Sequence, residues 1–388
     1  GELQNNSKKQ TSYFIMDICT ANNAFTIDVL KEVSKNSAGQ NVVFSSMSIM
    51  ISLAMVYLGA RGNTAGDMRK ALHFDDIEDV HTHFQVLLKE MMKNNNDYTL
   101  TTVNKLFGEK RYNFLPSFLK AINKFYGTLL EKVDFSFNPE ATRQYINAWI
   151  QQKTKGKIQN LLPETSISSN TALVVTNTLY FLANWTTQFS EEATSKAPFT
   201  LITNEQIKVN MMATMNTFNM NRIEKLGMSV LELPYGDKKD LNMIIMLPDN
   251  STVLAKVDRE ISYEKLNKWT SENMSPNYMT VYLPRFRMEK SFSLKKVLSS
   301  LGMSSAFSQG RANFSGMERQ QTLYVSDVHH KTFLEVDEKG TEAASATGSV
   351  MSIRSLAYEE FKADRPFHFF IRHNKNNCIL LYGKFYKP

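Results

Sequence analysis

The spacing of hydrophobic positions changes character along this chain. In the first part they recur every three to four residues, as on one face of a helix. Phe25, Val29, Leu30 and Val33 set that spacing over residues 21–35. Residues 41–44 form a short apolar strand pattern, and 49–58 form an apolar run of core-helix length. Ser46 or Ser48 can cap that helix and Gly59 can end it. Residues 80–92 are amphipathic until the polar run at 94–97 breaks them. Pro116 opens another helix, with Phe118, Ile122, Phe125 and Leu129 on one side.

Strand patterns prevail in the rest of the chain. Residues 171–181 are apolar on both faces, as a central sheet strand must be. Strands also fit 241–247, 278–283 and 323–328. At the end, 367–372 and 378–385 flank the polar turn 374–377, which reads as a hairpin. Helices first and strands afterwards predict a mixed α+β protein.

Composition adds that this is one large folding unit. Of 388 residues, 42% are hydrophobic and 21% charged, and the 16 glycines and 10 prolines are scattered, with no linker between halves. Cys19 and Cys378 cannot build a disulfide framework and read as two free thiols, which suits a reducing compartment. Residues 1–15 are polar and lack an apolar signal core, so they read as an extension ahead of a domain spanning 16–388. That absence favours the cytoplasm over an extracellular site. The run at 49–58 is too short to span a membrane, for which about 20 residues are needed.

The net charge of +7 permits an anionic partner. The basic residues are spread out, however, and do not alternate with aromatics in a stripe, so no nucleic acid is expected. Lys89 and Lys93 lie a turn apart, but Asp75, Asp76, Glu78 and Asp79 precede them, which leaves polyanion binding little support. His81 and His83 have no further ligand at metal spacing. No catalytic or phosphate-binding motif is present, so neither an enzyme nor a cofactor is expected.

One segment departs from these patterns. Residues 340–349 carry no large side chain except Glu342, yet good strand patterns flank them at 331–336 and 367–372. In an extended strand Thr341, Ala343, Ser345, Thr347 and Ser349 share one face, and all are small and uncharged. Such a segment can be a loop in one state and a buried strand in another, since a charge on the inward face would cost several kcal/mol.

These residues resemble a known hinge. Glu338-Lys339-Gly340-Thr341-Glu342-Ala343-Ala344-Ser345-Ala346-Thr347 is similar to that of an inhibitory serpin. The motifs 41–47 and 58–65, Asn177-Thr178-Leu179-Tyr180-Phe181 with Trp185, Leu283-Pro284-Arg285-Phe286, His330-Lys331, Asp364-Arg365-Pro366-Phe367 and Gly383-Lys384-Phe385 match in order. The start at Met16 and the few cysteines resemble the intracellular, ovalbumin-related branch (clade B).

The resemblance implies a serpin fold: a single domain with three β-sheets, about nine helices and an exposed reactive-centre loop at about 338–362. In this family the hinge glutamate lies seventeen residues back from the scissile bond, both ends counted; from Glu338 that count reaches Arg354, followed by Ser355. A register slip would substitute Met351, Ile353 or Leu356. Arg354 is the only basic residue between Lys339 and Lys362, which favours it. The implied role is a monomeric suicide substrate that traps a trypsin-like serine protease covalently by inserting the cleaved loop into the main sheet. About fourteen residues at 3.3 Å each would move the enzyme roughly 46 Å. Ser46, Asn177, Trp185, Arg285 and His330 resemble positions that hold that sheet where it must part. The alternative is a serpin that does not inhibit and serves as carrier, chaperone or storage protein.

Overall fold

A computed structural model describes residues 1–91, 95–339 and 359–388. Nine α-helices occur among them: α1 (Glu2–Ser34), α2 (Ser46–Tyr57), α3 (Gly62–Ala71), α4 (Val80–Glu90), α5 (Pro116–Tyr126), α6 (Pro139–Lys153), α7 (Ser251–Glu260), α8 (Tyr263–Ser271) and α9 (Lys295–Leu298). Fourteen strands accompany them: β1 (Val42–Phe44), β2 (Tyr98–Glu109), β3 (Leu130–Val133), β4 (Leu173–Ala183), β5 (Ser195–Thr200), β6 (Gln206–Ile223), β7 (Met228–Tyr235), β8 (Leu241–Pro248), β9 (Ser275–Pro284), β10 (Phe286–Ser293), β11 (Asp327–Val336), β12 (Glu360–Lys362), β13 (Phe367–His373) and β14 (Cys378–Phe385).

The strands pair into two hydrogen-bonded assemblies. A five-stranded sheet runs β10-β11-β4-β2-β3, and a nine-stranded one runs β1-β14-β13-β8-β7-β6-β9-β12 with β5 on β6. Two of the three expected sheets are continuous in the larger assembly because β6 is shared. It pairs with β9 through residues 211–220 and with β7 through 220–223.

Local sequence explains the main elements. Ser45, rather than the expected Ser46 or Ser48, has the extended backbone of an N-cap and accepts the Ser48 N–H. α2 is apolar but for Ser46, Ser48 and Ser52, and almost wholly buried. Pro116 occupies the first turn of α5, and Gly127, at φ +62°, ends it in the left-handed conformation that glycine adopts without strain. Leu129, expected on this helix, therefore lies beyond it and is exposed. The strand expected at 323–328 begins only at Asp327. α1 starts at Glu2, far ahead of the helical spacing read from residue 21, and buries Ile15 and Ile18.

The five-stranded sheet lies between two apolar layers. Val175, Leu179 and Phe181 of β4 enter the main core, together with α1, α2 and the larger assembly. Val174 and Tyr180, of opposite parity, join Phe333 of β11 in a second core under α6, formed with Ile146 and Ile150. Burial on both faces is why β4 is apolar at both parities on either side of Thr176, Asn177 and Thr178.

The two cysteines are not free. A disulfide joins Cys19 of α1 to Cys378 of β14, with the Cα atoms 4.9 Å apart. Nothing in a separation of 359 residues announces that contact; packing of α1 across the C-terminal hairpin creates it.

Candidate functional site

β4 and β11 run parallel at the centre of the five-stranded sheet, in register from Asp327 opposite Val174 to Leu334 opposite Phe181. In this register His330 stands opposite Asn177. Its Nδ1 is 2.6 Å from Asn177 Oδ1, and its Nε2 is 2.9 Å from the Ser45 backbone nitrogen. An amide N–H can only donate, so Nε2 accepts and the imidazole proton sits on Nδ1. Thr332 Oγ1 also lies 2.7 Å from Nε2. Asn177 Nδ2 donates to Ser52 Oγ at 3.1 Å, and Ser48 Oγ donates to Asn104 Oδ1. These bonds tie α2 to β2, β4 and β11. Burial pushes the His330 imidazole down to about 3, and its bond to Asn177 offsets only part of that. The ring is neutral throughout the physiological range.

Ser46 is not part of this cluster. It is fully buried but hydrogen-bonds Thr26 of α1, and the contact to His330 comes from the Ser45 backbone. Sequence reading missed Ser45, Ser52 and Thr332, because a backbone donor and two ordinary hydroxyls carry no signal of their own.

A second group gathers where β11 ends. The Trp185 indole stacks on Tyr235 with ring centres 4.3 Å apart, and its Nε1–H donates to the Asp337 carbonyl at 2.9 Å. The next residue, Glu338, is only 5% exposed. Arg285, at the junction of β9 and β10, donates to Glu338 Oε1 from Nη2 at 2.6 Å and from Nε at 3.1 Å. Thr194 Oγ1 donates to the same oxygen at 2.6 Å. Burial pushes the Glu338 carboxyl up, but the bonds from Arg285 and Thr194 outweigh it and hold the group below the usual glutamate range. Arg285 and Thr194 together leave the Glu338 carboxylate fully engaged at the end of β11.

The chain is also held beyond the hinge. β12 lies parallel on β9, with Phe361 opposite Val281 and 2% exposed. Arg365 donates to the Pro248 carbonyl at 2.8 Å. The segment from Lys339 to Glu359 is thus anchored at both ends. Gly340, Thr341, Glu342, Ala343, Ala344, Ser345, Ala346, Thr347, Arg354 and Ser355, to which the family resemblance gives the hinge and the reactive bond, lie outside the described residues.

The two histidines of the sequence pair are occupied by protein contacts. His81 Nδ1 meets the Tyr126 hydroxyl at 2.6 Å, and His83 Nδ1 meets the Asp79 carbonyl. Among the described residues no three His, Cys, Asp or Glu side chains gather as a metal site, and no helix is long and apolar enough to cross a membrane.

Comparison with known proteins agrees with this geometry. The family model described as serpin (serine protease inhibitor) matches residues 20–388. The leukocyte elastase inhibitor of Xenopus tropicalis is 44% identical over 369 residues, covering 94% of this chain and 97% of that protein. Serpin B6 of Macaca fascicularis is 44% identical over 379 residues, covering 96% of this chain and all of its own. The crystal structure of uncleaved ovalbumin superposes with a TM-score of 0.90 at 34% identity, covering 96% of this chain and 100% of that one. With a family match from residue 20 to the last residue, and relatives this similar over nearly their whole length, the chain belongs to the serpins, the serine protease inhibitor family.

Proposed function

We propose that this serpin inhibits trypsin-like serine proteases, with Arg354-Ser355 as its reactive bond. The observation that carries the reading is the placement of Arg354. It is the only basic residue between Lys339 and Lys362, in a segment whose flanks are held by Glu338 on Arg285 and by β12 on β9. A trypsin-like pocket holds a buried carboxylate that a guanidinium pairs through charge-assisted hydrogen bonds. The small pocket of an elastase has no such partner, and Arg354 would enter it uncompensated. This chain therefore departs in target class from the relatives named for leukocyte elastase.

The protease serine attacks the Arg354 carbonyl carbon, and the ester forms as the Ser355 amine leaves with a proton. Cutting frees the hinge side from β12 while the hinge stays joined through Glu338 to the end of β11. The small face of Thr341, Ala343, Ser345 and Thr347 can then enter between β4 and β11. Strand–strand bonds on both sides of the new strand replace the single parallel ladder. The acylated enzyme is carried with it and its catalytic geometry is distorted, so deacylation stalls.

The test is a titration with bovine trypsin and, separately, with neutrophil elastase, followed on denaturing gels. Trypsin should form an SDS-stable one-to-one complex and release a peptide beginning at Ser355. The Arg354→Ala variant should form none. Clean cleavage after Arg354 with fully active trypsin, or preferential trapping of elastase, defeats the proposal.

A further inference from the structure

A cavity of about 490 Å³ opens between the β6–β7 turn, α7 and α8, on elements that contribute nothing to the β4–β11 ladder. Its size falls within the range of small-molecule sites, about 300–1,000 Å³. The floor is apolar. Trp269 of α8 is 8% exposed and belongs to the main core, and Ile223 and Leu226 of the turn pack against that core while half-exposed.

The rim is cationic. Five basic and two acidic side chains line the cavity. Arg222 is already satisfied by Asp249, at 2.7 Å through both guanidinium nitrogens, and Lys265 leans toward Glu260 at 3.9 Å. Lys225, Lys256 and Lys268 form no ion pair among the described residues, although they come from three different elements and converge on one opening.

We propose that this cavity binds an anionic amphiphile: an apolar body lies on Ile223, Leu226 and Trp269, and one acidic head sits among Lys225, Lys256 and Lys268. A neutral ligand of the same shape would gain nothing from the three lysines at the rim. A ligand that is charge alone would leave the apolar floor wet and would face Glu224 and Glu260 at the same rim. A single carboxylate or sulfonate on an alkyl or aryl body meets both demands. The exposed lysines keep the head hydrated on one side, so desolvation is modest.

The experiment uses the full chain and dodecanoate as probe, below its micellar concentration, with dodecanol as the uncharged control. Binding is read by calorimetry and by the emission change of Trp269, with a Trp269→Phe variant to separate it from Trp149 and Trp185. Dodecanoate should bind one-to-one. The triple variant Lys225→Gln, Lys256→Gln, Lys268→Gln should weaken it at least tenfold while forming the trypsin complex at the unaltered rate. Dodecanol should also bind at least tenfold more weakly than dodecanoate. Absence of dodecanoate binding, equal binding of dodecanol, or an unchanged affinity in the triple variant overturns the proposal. So does a heparin hexasaccharide that binds here while dodecanoate does not.

Discussion

Protonating His330 should loosen the centre of the five-stranded sheet, and the size of the effect follows from its burial. In the unfolded chain its pKa is near 6.5, whereas in the fold burial pushes it to about 3. A base with a lowered folded pKa contributes stability that is fully present above 6.5 and is lost as the pH falls toward 3. Each unit of pH in that window removes about 1.4 kcal/mol, so at pH 4.5 the loss is about 3 kcal/mol. The geometry gives the cause. A proton on Nε2 would face the Ser45 N–H, donor against donor, and would break the link between α2 and the β4–β11 pair. The assay is urea unfolding of the uncleaved protein between pH 7.5 and 4, compared with a His330→Gln variant. Glutamine can offer an oxygen to Ser45 and an amide to Asn177 but cannot titrate. Other buried histidines, such as His368 and His373, contribute equally to both proteins. The wild type should therefore lose about 3 kcal/mol more than the variant over this range. Parallel pH profiles would refute the argument.

Two further outcomes are expected. Thr341→Arg should turn the inhibitor into a substrate, because a cation on the inward face cannot follow the hinge into the sheet; trypsin would cleave it and remain active on a chromogenic peptide, and retained trapping would contradict the insertion step. Replacing Cys19 and Cys378 by serine should cost about 2–5 kcal/mol in urea unfolding, the usual range for a native disulfide. It should leave trypsin-complex formation unchanged, because α1 and β14 lie outside the β4–β11 ladder.

What the sequence discloses of this fold depends on how local each cause is. β4 is legible because burial on both faces demands apolar residues at both parities around its Thr176-Asn177-Thr178 centre, and the C-terminal hairpin because its turn is polar. α6 escaped notice: Ile146 and Ile150 are its principal contribution to the second core, and the rest of the helix is polar enough to pass for a surface segment. The disulfide escaped for a different reason, since only the packing of the two chain ends brings its halves together. At the hinge, the family motifs place Glu338 and Arg285, and the structure joins them. The same motifs name Ser46 for the sheet-opening cluster, yet the bond to His330 comes from the neighbouring backbone amide of Ser45. A side-chain motif cannot announce a main-chain donor. Ser46 shows the same limit, for its partner Thr26 lies on a helix whose position only the packed fold supplies.

Trapping by insertion requires an uncut molecule that holds less strand pairing than its sequence permits. Differential scanning calorimetry of intact protein against protein nicked at Arg354 tests this directly. A new strand bonded on both sides, at about 1 kcal/mol per hydrogen bond and less the ladder it replaces, adds on the order of 10 kcal/mol. For a chain of 388 residues that corresponds to a rise in melting temperature of roughly 12 °C. A nicked protein that melts at or below the temperature of the intact one would contradict the claim.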